Sequence, residues 1–273
     1  PASSSSGVFL NPLGVVNGAN YAPITNPIAP GEILTLFGSG LASGTYSAGL
    51  PLPTTLGGVQ VNINGQAVPL YYVSPTQITV LVPQAITPDN NVDLATIQVS
   101  NNGTLSNSTM VYTNYTAPGV FSADGSGSGP AAAQVNNAQV SASNPANVNS
   151  TVVLYATGLG TVTPVVADGT AAPSNPPASA DDTDYVIVGG QQENVVFDGL
   201  APGFASLFQL NAQITSGTPS GPNFTDISTP DAYTSMATVQ VGSSGGVRQA
   251  RARVTAKSAT RHPGRPSRAR GGQ

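Results

Sequence analysis

The sequence predicts an all-β protein made of two tandem immunoglobulin-like β-sandwich domains. Its 273 residues are rich in glycine (31) and proline (24), and only 7% are charged. Short apolar runs separated by turn residues, with few strong helix formers, favour strands over helices. The runs also recur in order: residues 33–37, closed by Gly40-Leu41, return as residues 152–156, closed by Gly158-Leu159. Such an internal repeat indicates one β-domain built twice.

In the first half, apolar and polar residues alternate in the way typical of half-buried strands. Val59, Val61 and Ile63 are one such series, and Asn64-Gly65 follows them as a hairpin turn. A second hairpin turn is predicted at residues 101–103. We predict strands at residues 33–37, 59–63, 66–73, 77–82, 92–100 and 105–113, a number and spacing typical of a sandwich.

The second half has the clearest period of two in the chain, in which Phe208, Leu210 and Ala212 alternate with polar residues. A small hairpin is predicted around Asn136-Asn137. Strands are predicted at residues 152–156, 185–188, 194–197, 206–214 and 234–241, and the polar stretches 164–177 and 216–230 are predicted to be surface loops.

These patterns divide the chain into four parts. Residues 1–29 are a proline-punctuated extension that we predict to be a donor or edge strand. Residues 30–116 form the first sandwich and residues 117–246 the second. Residues 247–273 are a basic tail without apolar periodicity.

Charge is distributed very unevenly along the chain. All eight Lys and Arg residues follow residue 247, whereas all twelve acids lie between Glu32 and Asp231. The body therefore carries about −12 and repels nucleic acid and anionic lipid. The tail is expected to dock on an acidic face of its own or an adjacent subunit through Arg248, Arg251, Arg253, Lys257 and Arg261. No apolar run of 18 residues exists, so no membrane span is expected.

The body also lacks the side chains that most catalysis requires. Residues 1–247 contain no His, Lys, Arg or Cys, which excludes a Ser-His-Asp triad, a Schiff-base lysine and a His or Cys metal site there. A carboxylate pair remains available, but these acids are predicted to be solvated loop residues, with Glu32 as a turn acceptor. The acids considered for such a pair are Glu32, Asp168, Asp181, Asp182, Asp184, Glu193 and Asp198. We therefore expect no enzyme and no catalytic residue.

No cofactor is expected. The roles of three further groups of side chains remain open. Calcium could be held by Asp181, Asp182 and Asp184, although the spacing is not that of an EF-hand. Tyr71, Tyr72, Tyr112 and Tyr115 could stack on sugars or fill the core and edges of the sandwich. Glycosylation sequons occur at Asn102, Asn107, Asn114, Asn149 and Asn223.

Several longer motifs, in the same order, resemble the paralogous secreted C-terminal domain family of Acidobacteria of the Solibacter type. The motifs are residues 14–21, 28–41, 52–58, 72–78, 117–121, 153–160 and 199–204. The half-repeats also resemble IPT/TIG-type immunoglobulin-like domains. These resemblances imply a secreted, immunoglobulin-like β architecture and no particular activity. The basic tail departs from the family pattern.

The sequence thus favours a secreted, non-enzymatic structural or adhesive protein at the cell surface. The chain begins at Pro1 without Met, which we interpret as removal of a signal peptide. We expect it to assemble with its own copies into a filament or surface layer by donating a short apolar strand. The assembly residues would be Val8, Phe9, Leu10, Val15, Val16 and Tyr21. The alternatives are a carbohydrate- or cell-surface-binding module and, third, a carboxylate glycosidase.

Overall fold

A computed structural model describes residues 7–23, 25–88, 94–182, 185–230 and 233–243. Within these ranges the chain consists of strands, turns and irregular segments, and it contains no α-helix. The same ranges hold no helical segment with the length and hydropathy needed to cross a bilayer. The all-β prediction is therefore confirmed.

Among the described residues, the first sandwich has ten strands in two antiparallel sheets. One sheet has the order β1-β2-β7-β6-β3 and the other the order β10-β8-β4-β5, with β9 paired to β8. The strands are β1 (Phe9–Asn17), β2 (Ile33–Ser39), β3 (Tyr46–Ser47), β4 (Val59–Ile63), β5 (Gln66–Ala67), β6 (Leu70–Val73), β7 (Gln77–Leu81), β8 (Leu94–Asn101), β9 (Thr104–Leu105) and β10 (Thr109–Tyr112).

Alternating residues of these strands fill the space between the two sheets. Leu34 and Leu36 point inward from β2, and Val61 and Ile63 point inward from β4, all at 1% exposure or less. On β4 the intervening Gln60 is exposed and Asn62 is half-buried, so the period of two gives this strand one buried face and one outer face, whereas on β2 the intervening Thr35 is also buried. The outer face of β1 and β2 carries the site described below.

The second sandwich contains thirteen strands and its own apolar core. Its sheets have the orders β14-β13-β15-β21-β20-β17-β16, with β11 paired to β15, and β12-β23-β22-β18-β19. The strands are β11 (Gly119–Val120), β12 (Gly129–Pro130), β13 (Ala133–Val135), β14 (Ala138–Gln139), β15 (Thr151–Thr157), β16 (Val162–Thr163), β17 (Ser179–Ala180), β18 (Tyr185–Val188), β19 (Gln191–Gln192), β20 (Asn194–Leu200), β21 (Phe208–Gln213), β22 (Gly221–Ser228) and β23 (Tyr233–Val241). Two cores and four sheets make the protein a tandem pair of immunoglobulin-like sandwiches.

The predicted hairpin turns are confirmed by the backbone. Asn64 and Asn102 have φ angles of 51° and 48°, and the glycine after each also has a positive φ. Asn136 and Asn137 join β13 to β14 with φ angles of 53° and 60°. Asparagine tolerates this left-handed region better than most residues, which is why these turns could be predicted from the sequence.

One loop prediction and one strand prediction were wrong. Residues 216–230 are not simply a surface loop, because β22 lies within them and pairs with both β18 and β23. Its inward side chains are only Thr225 and Ile227, so the apolar alternation is too short to detect. Residues 66–73 do not form one strand, since Pro69 interrupts the ladder and β5 and β6 enter different sheets.

The N-terminal extension lies at the edge of the first sandwich's own sheet. Strand β1 pairs antiparallel with β2, where Val16 is opposite Thr35, and Leu10 and Val15 enter the core. The Asn107 side chain bonds the backbone N–H and C=O of Leu10 at 3.0 and 2.9 Å, as a neighbouring strand would. Donation of β1 to another copy would require it to leave these contacts.

Candidate functional site

An aromatic groove lies on the outer face of the first sandwich. It has a volume of about 510 Å³ and is lined by Phe9, Asn11, Phe37, Gly38, Ser39 and Thr76. Phe9 and Phe37 face outward because their neighbours Leu10 and Leu36 are directed into the core. The turn before β7 is held against β2 by the Gly38 N–H, which donates to the Thr76 carbonyl at 3.1 Å.

Tyr21 extends the aromatic surface next to Phe37. The two ring centroids are 6.3 Å apart, and the ring planes are tilted by 48°. Both Tyr21 and Phe9 remain accessible, with 38% and 45% of their surface exposed. Three neighbouring aromatic rings beside short neutral polar side chains form a surface suited to a ligand with both apolar and hydroxyl faces.

Buried polar contacts join the first sandwich to the second. Asn17 Nδ2 donates to Glu32 Oε1 at 2.9 Å and to the Ala117 carbonyl at 3.0 Å. The backbone N–H of Ile33 donates to Thr157 Oγ1 at 2.7 Å. The C-terminal end of β1 is therefore hydrogen-bonded to the crossing between the sandwiches, which is the segment of residues 113–118 that connects β10 to β11.

Glu32 is a buried acid immediately before β2. Its side chain is 1% exposed and accepts hydrogen bonds from Asn17 and from the Ala29 backbone N–H. Burial raises the pKa of Glu32 to about 8, and the two hydrogen bonds oppose this rise. Glu32 accepts a hydrogen bond from the Ala29 backbone N–H, as expected of a turn acceptor. The prediction that it is a solvated acid is wrong, because its side chain is buried.

Of the other acids considered for a carboxylate pair, Asp168 and Asp181 line the same open pocket of about 410 Å³, and Glu193 is not among the residues that line it. Glu193 is also buried, and it accepts bonds from Thr215 N at 2.6 Å and Thr218 Oγ1 at 2.5 Å, which corrects its assignment as a solvated acid. Asp168 accepts from the Gln84 N–H at 3.0 Å. Asp198 lies on β20 and Asp182 in the turn after β17.

The calcium prediction is tested only in part. Asp181 accepts a 2.7 Å bond from Thr161 Oγ1, and Asp184 lies outside the described residues. Across the described ranges, no group of three or more His, Cys, Asp or Glu residues could hold a metal ion.

The tyrosines named above do not form one platform. Tyr71 and Tyr72 lie on β6, and the Tyr71 hydroxyl donates to the Ala205 carbonyl of the second sandwich. Tyr112 lies on β10 of the opposite sheet, and Tyr115 follows it towards the crossing. The aromatic residues brought together are instead Phe9, Phe37 and Tyr21. Phe37 was missed because a single phenylalanine in an apolar strand is more typical of the core, and Asn11 was missed as well.

The six residues assigned to assembly have divided roles in this arrangement. Val8 is partly buried against the first core, Leu10 and Val15 lie inside it, and Val16 is also buried. Phe9 and Tyr21 contribute to the aromatic surface. The basic residues assigned to tail docking lie outside the described residues.

The sequons remain glycosylation predictions, but several of their amides already make bonds. The Asn107 nitrogen donates to Leu10 O, and the Asn223 nitrogen donates to Pro219 O at 2.7 Å and Gly221 O at 2.9 Å. A glycan at either nitrogen would compete with these contacts. The remaining sequon residues are Asn102, Asn114 and Asn149.

Comparisons with known proteins agree with the class of fold. A family model described as IPT/TIG domain matches residues 19–117, which supports the immunoglobulin-like resemblance of the first sandwich. No relative was found among curated proteins.

Two solved structures show low similarity to the chain. One is the plexin A4 extracellular region, at 10% identity, with a TM-score of 0.25, 88% of this chain covered and 18% of the other. Another is SGBP-B of the Bacteroides ovatus mixed-linkage glucan utilization locus, in complex with a mixed-linkage heptasaccharide. Its identity is 14%, its TM-score is 0.32, and 80% of this chain and 44% of that chain are covered. The chain thus spans less than half the length of either structure.

Proposed function

We propose that the protein is an extracellular, non-enzymatic module that binds an uncharged polysaccharide in the aromatic groove. The observation that carries this proposal is the grouping of the exposed rings of Phe9 and Tyr21 with the half-buried ring of Phe37, beside Asn11 and Thr76. Aromatic rings pack against the apolar faces of sugar rings, and amide and hydroxyl groups exchange hydrogen bonds with sugar hydroxyls. A shallow groove fits a chain-like ligand.

The charge of the body favours an uncharged ligand. Residues 1–247 contain twelve acids and no Lys or Arg, so no cation in the body compensates a bound carboxylate or sulfate. Long-range repulsion would also slow the approach of a polyanion. Neutral polysaccharides avoid both costs.

The non-enzymatic and extracellular assignments have separate support. The body lacks the side chains of most catalytic groups, and the IPT/TIG match is to a domain family that is typically non-catalytic and typical of extracellular proteins. Secretion and surface attachment are part of the proposal.

The test is binding of the full chain to immobilised polysaccharides, measured as the fraction retained and as a dissociation constant. Neutral cellulose, mixed-linkage glucan and xylan are compared with anionic polygalacturonate. Phe37→Ala should weaken binding to a neutral polymer about fivefold, since a stacked aromatic contributes about 1 kcal/mol. Phe224→Ala is the control, because Phe224 is an exposed phenylalanine (63%) that lies on the second sandwich.

Two results would reject polysaccharide binding at the groove. One is retention of the wild-type chain by none of the neutral polymers. The other is an equal loss for Phe37→Ala and Phe224→Ala, which would place binding elsewhere or make it nonspecific. Preference for polygalacturonate would reject the charge argument.

Self-assembly by strand exchange is a second candidate. The observation favouring it is that β1 lies at a sheet edge, so the same strand from another copy could make identical pairs with β2. The chain has no cysteine, so Val16→Cys with Thr35→Cys introduces one pair across β1 and β2. After oxidation, a ladder of disulfide-linked chains on a non-reducing gel would indicate exchange. Monomers that carry the disulfide within a single chain would exclude it.

A further inference from the structure

Tyr21 has a strained backbone that several contacts maintain. Its φ angle is 55°, a left-handed conformation that is rare for a bulky side chain and costs about 1–3 kcal/mol. Its N–H donates to the Asn17 carbonyl at 3.0 Å, and the next N–H, of Ala22, donates to Asn20 Oδ1 at 2.9 Å. This turn directs the Tyr21 ring to the side of Phe37.

A loop of the second sandwich, residues 122–129, packs against the same ring. The Tyr21 hydroxyl donates to the Gly125 carbonyl at 3.0 Å. The N–H of Gly127 donates to Ser122 Oγ at 2.9 Å, which keeps Gly127 buried in the loop. A Cβ at position 127 would lie 2.5 Å from Tyr21 Cδ2, so the loop reaches the ring only because residue 127 has no side chain.

We propose that the loop of residues 122–129 completes the polysaccharide site by fixing Tyr21, which makes the site shared between the two sandwiches. This inference rests on the proposed function. The loop holds the hydroxyl and supports the ring, while Phe37 lies beside it, so a sugar would meet a preformed surface. Tyr21 contacts the ligand, and Gly125 and Gly127 are positioning residues.

Gly127→Ala and Gly129→Ala make a matched pair for the test. Both glycines have positive φ, 80° and 78°, so alanine introduces similar backbone strain at each. A Cβ at residue 129 meets nothing within 4 Å, whereas one at residue 127 meets Tyr21. The difference between the two variants therefore isolates displacement of the ring.

Both variants are measured in the full chain for affinity to the neutral polymer that binds the wild type best. Gly127→Ala should weaken binding at least fivefold, and Gly129→Ala should leave it within twofold. Tyr21→Phe removes only the bond to Gly125 and should weaken binding two- to threefold. Phe37→Trp adds the sole tryptophan of the chain, whose emission maximum should shift with Gly127→Ala and stay constant with Gly129→Ala.

The outcomes separate this inference from the function on which it rests. A wild-type chain that binds polysaccharide, together with unchanged affinity in Gly127→Ala and Tyr21→Phe, would overturn the role of the loop alone. No binding by the wild type would overturn both. If Gly127→Ala does not fold, Tyr21→Phe decides, and wild-type affinity in that variant would reject the inference.

Discussion

Asn17 Nδ2 lies 2.9 Å from Glu32 Oε1, and both side chains are buried where β1 meets the crossing between the sandwiches. The carboxyl lies beside a cavity of about 10 Å³ that has no second ionisable group in its lining. The pKa of Glu32 is therefore governed by burial and by its own hydrogen bonds.

Stability is predicted to decrease as pH rises through the neutral range. Glu32 has a pKa of about 8 in the folded state and an ordinary value of 4.5, so between these values the folded state binds a proton that the unfolded state has released. Its contribution is complete below about pH 4.5 and is lost as pH rises through about 8, by up to about 1.4 kcal/mol per pH unit. Urea unfolding between pH 5 and 9 measures this slope.

Glu32→Gln supplies the comparison, because it removes the titration and keeps the size of the side chain. The free energy of unfolding of this variant should change less between pH 5 and 8 than that of the wild type. Parallel profiles for the two proteins would show that Glu32 titrates near its ordinary pKa.

The contact between Ile33 and Thr157 should be sensitive to loss of one oxygen atom. Thr157→Val keeps the shape of the side chain but leaves the buried Ile33 N–H without its acceptor, which should cost about 1–3 kcal/mol. Thr157→Ser retains a hydroxyl and should recover most of this loss. Equal unfolding free energies for the Val and Ser variants would indicate that the N–H finds another partner.

Much of the fold could be predicted because its signals are local. The alternation at Val59, Val61 and Ile63 and the Asn-Gly turn after it each lie within a few consecutive residues. Strand β22 was missed because it takes its place from β18 and β23, with only Thr225 and Ile227 directed inward. The strand conformation of that segment is therefore determined by its pairing with β18 and β23.

The site was much less predictable for the same reason. Phe37 and Tyr21 are 16 positions apart in sequence, and Gly125 lies 104 positions after Tyr21, so no local pattern joins them. The N-terminal segment was predicted to be a donor or edge strand. Its apolar residues could be recognised, but the sheet that they enter could not.

The core of the second sandwich should respond differently from its surface to the same substitution. Phe208 is fully buried on β21, so Phe208→Ala should cost about 3–5 kcal/mol through lost burial and a residual cavity. Phe224 is 63% exposed on β22, and Phe224→Ala should cost less than about 1 kcal/mol. Urea unfolding measures both, and similar losses would contradict the assigned burial.

Gly158 should be the most restrictive glycine at the crossing. Its φ is 77°, and a Cβ there would lie 2.0 Å from the Ala117 carbonyl oxygen, while the Ala117 N–H donates to the Gly158 carbonyl at 2.7 Å. Alanine would therefore combine left-handed strain with a clash against rigid backbone. Gly190→Ala is the matched control, since its φ is 80° and its Cβ would meet nothing within 4 Å.

Left-handed strain alone should cost Gly190→Ala about 1–2 kcal/mol. Gly158→Ala should lose at least about 2 kcal/mol more, because residues 117 and 158 must separate to admit the methyl group. Urea unfolding of both variants at one pH gives the difference, and the Ala117 amide should lose hydrogen-exchange protection only in Gly158→Ala. Equal losses of unfolding free energy in the two variants, with unchanged protection of the Ala117 amide, would contradict this prediction. They would mean that residues 117 and 158 can separate without loss of stability, so that the sandwiches are not fixed to one another at this point.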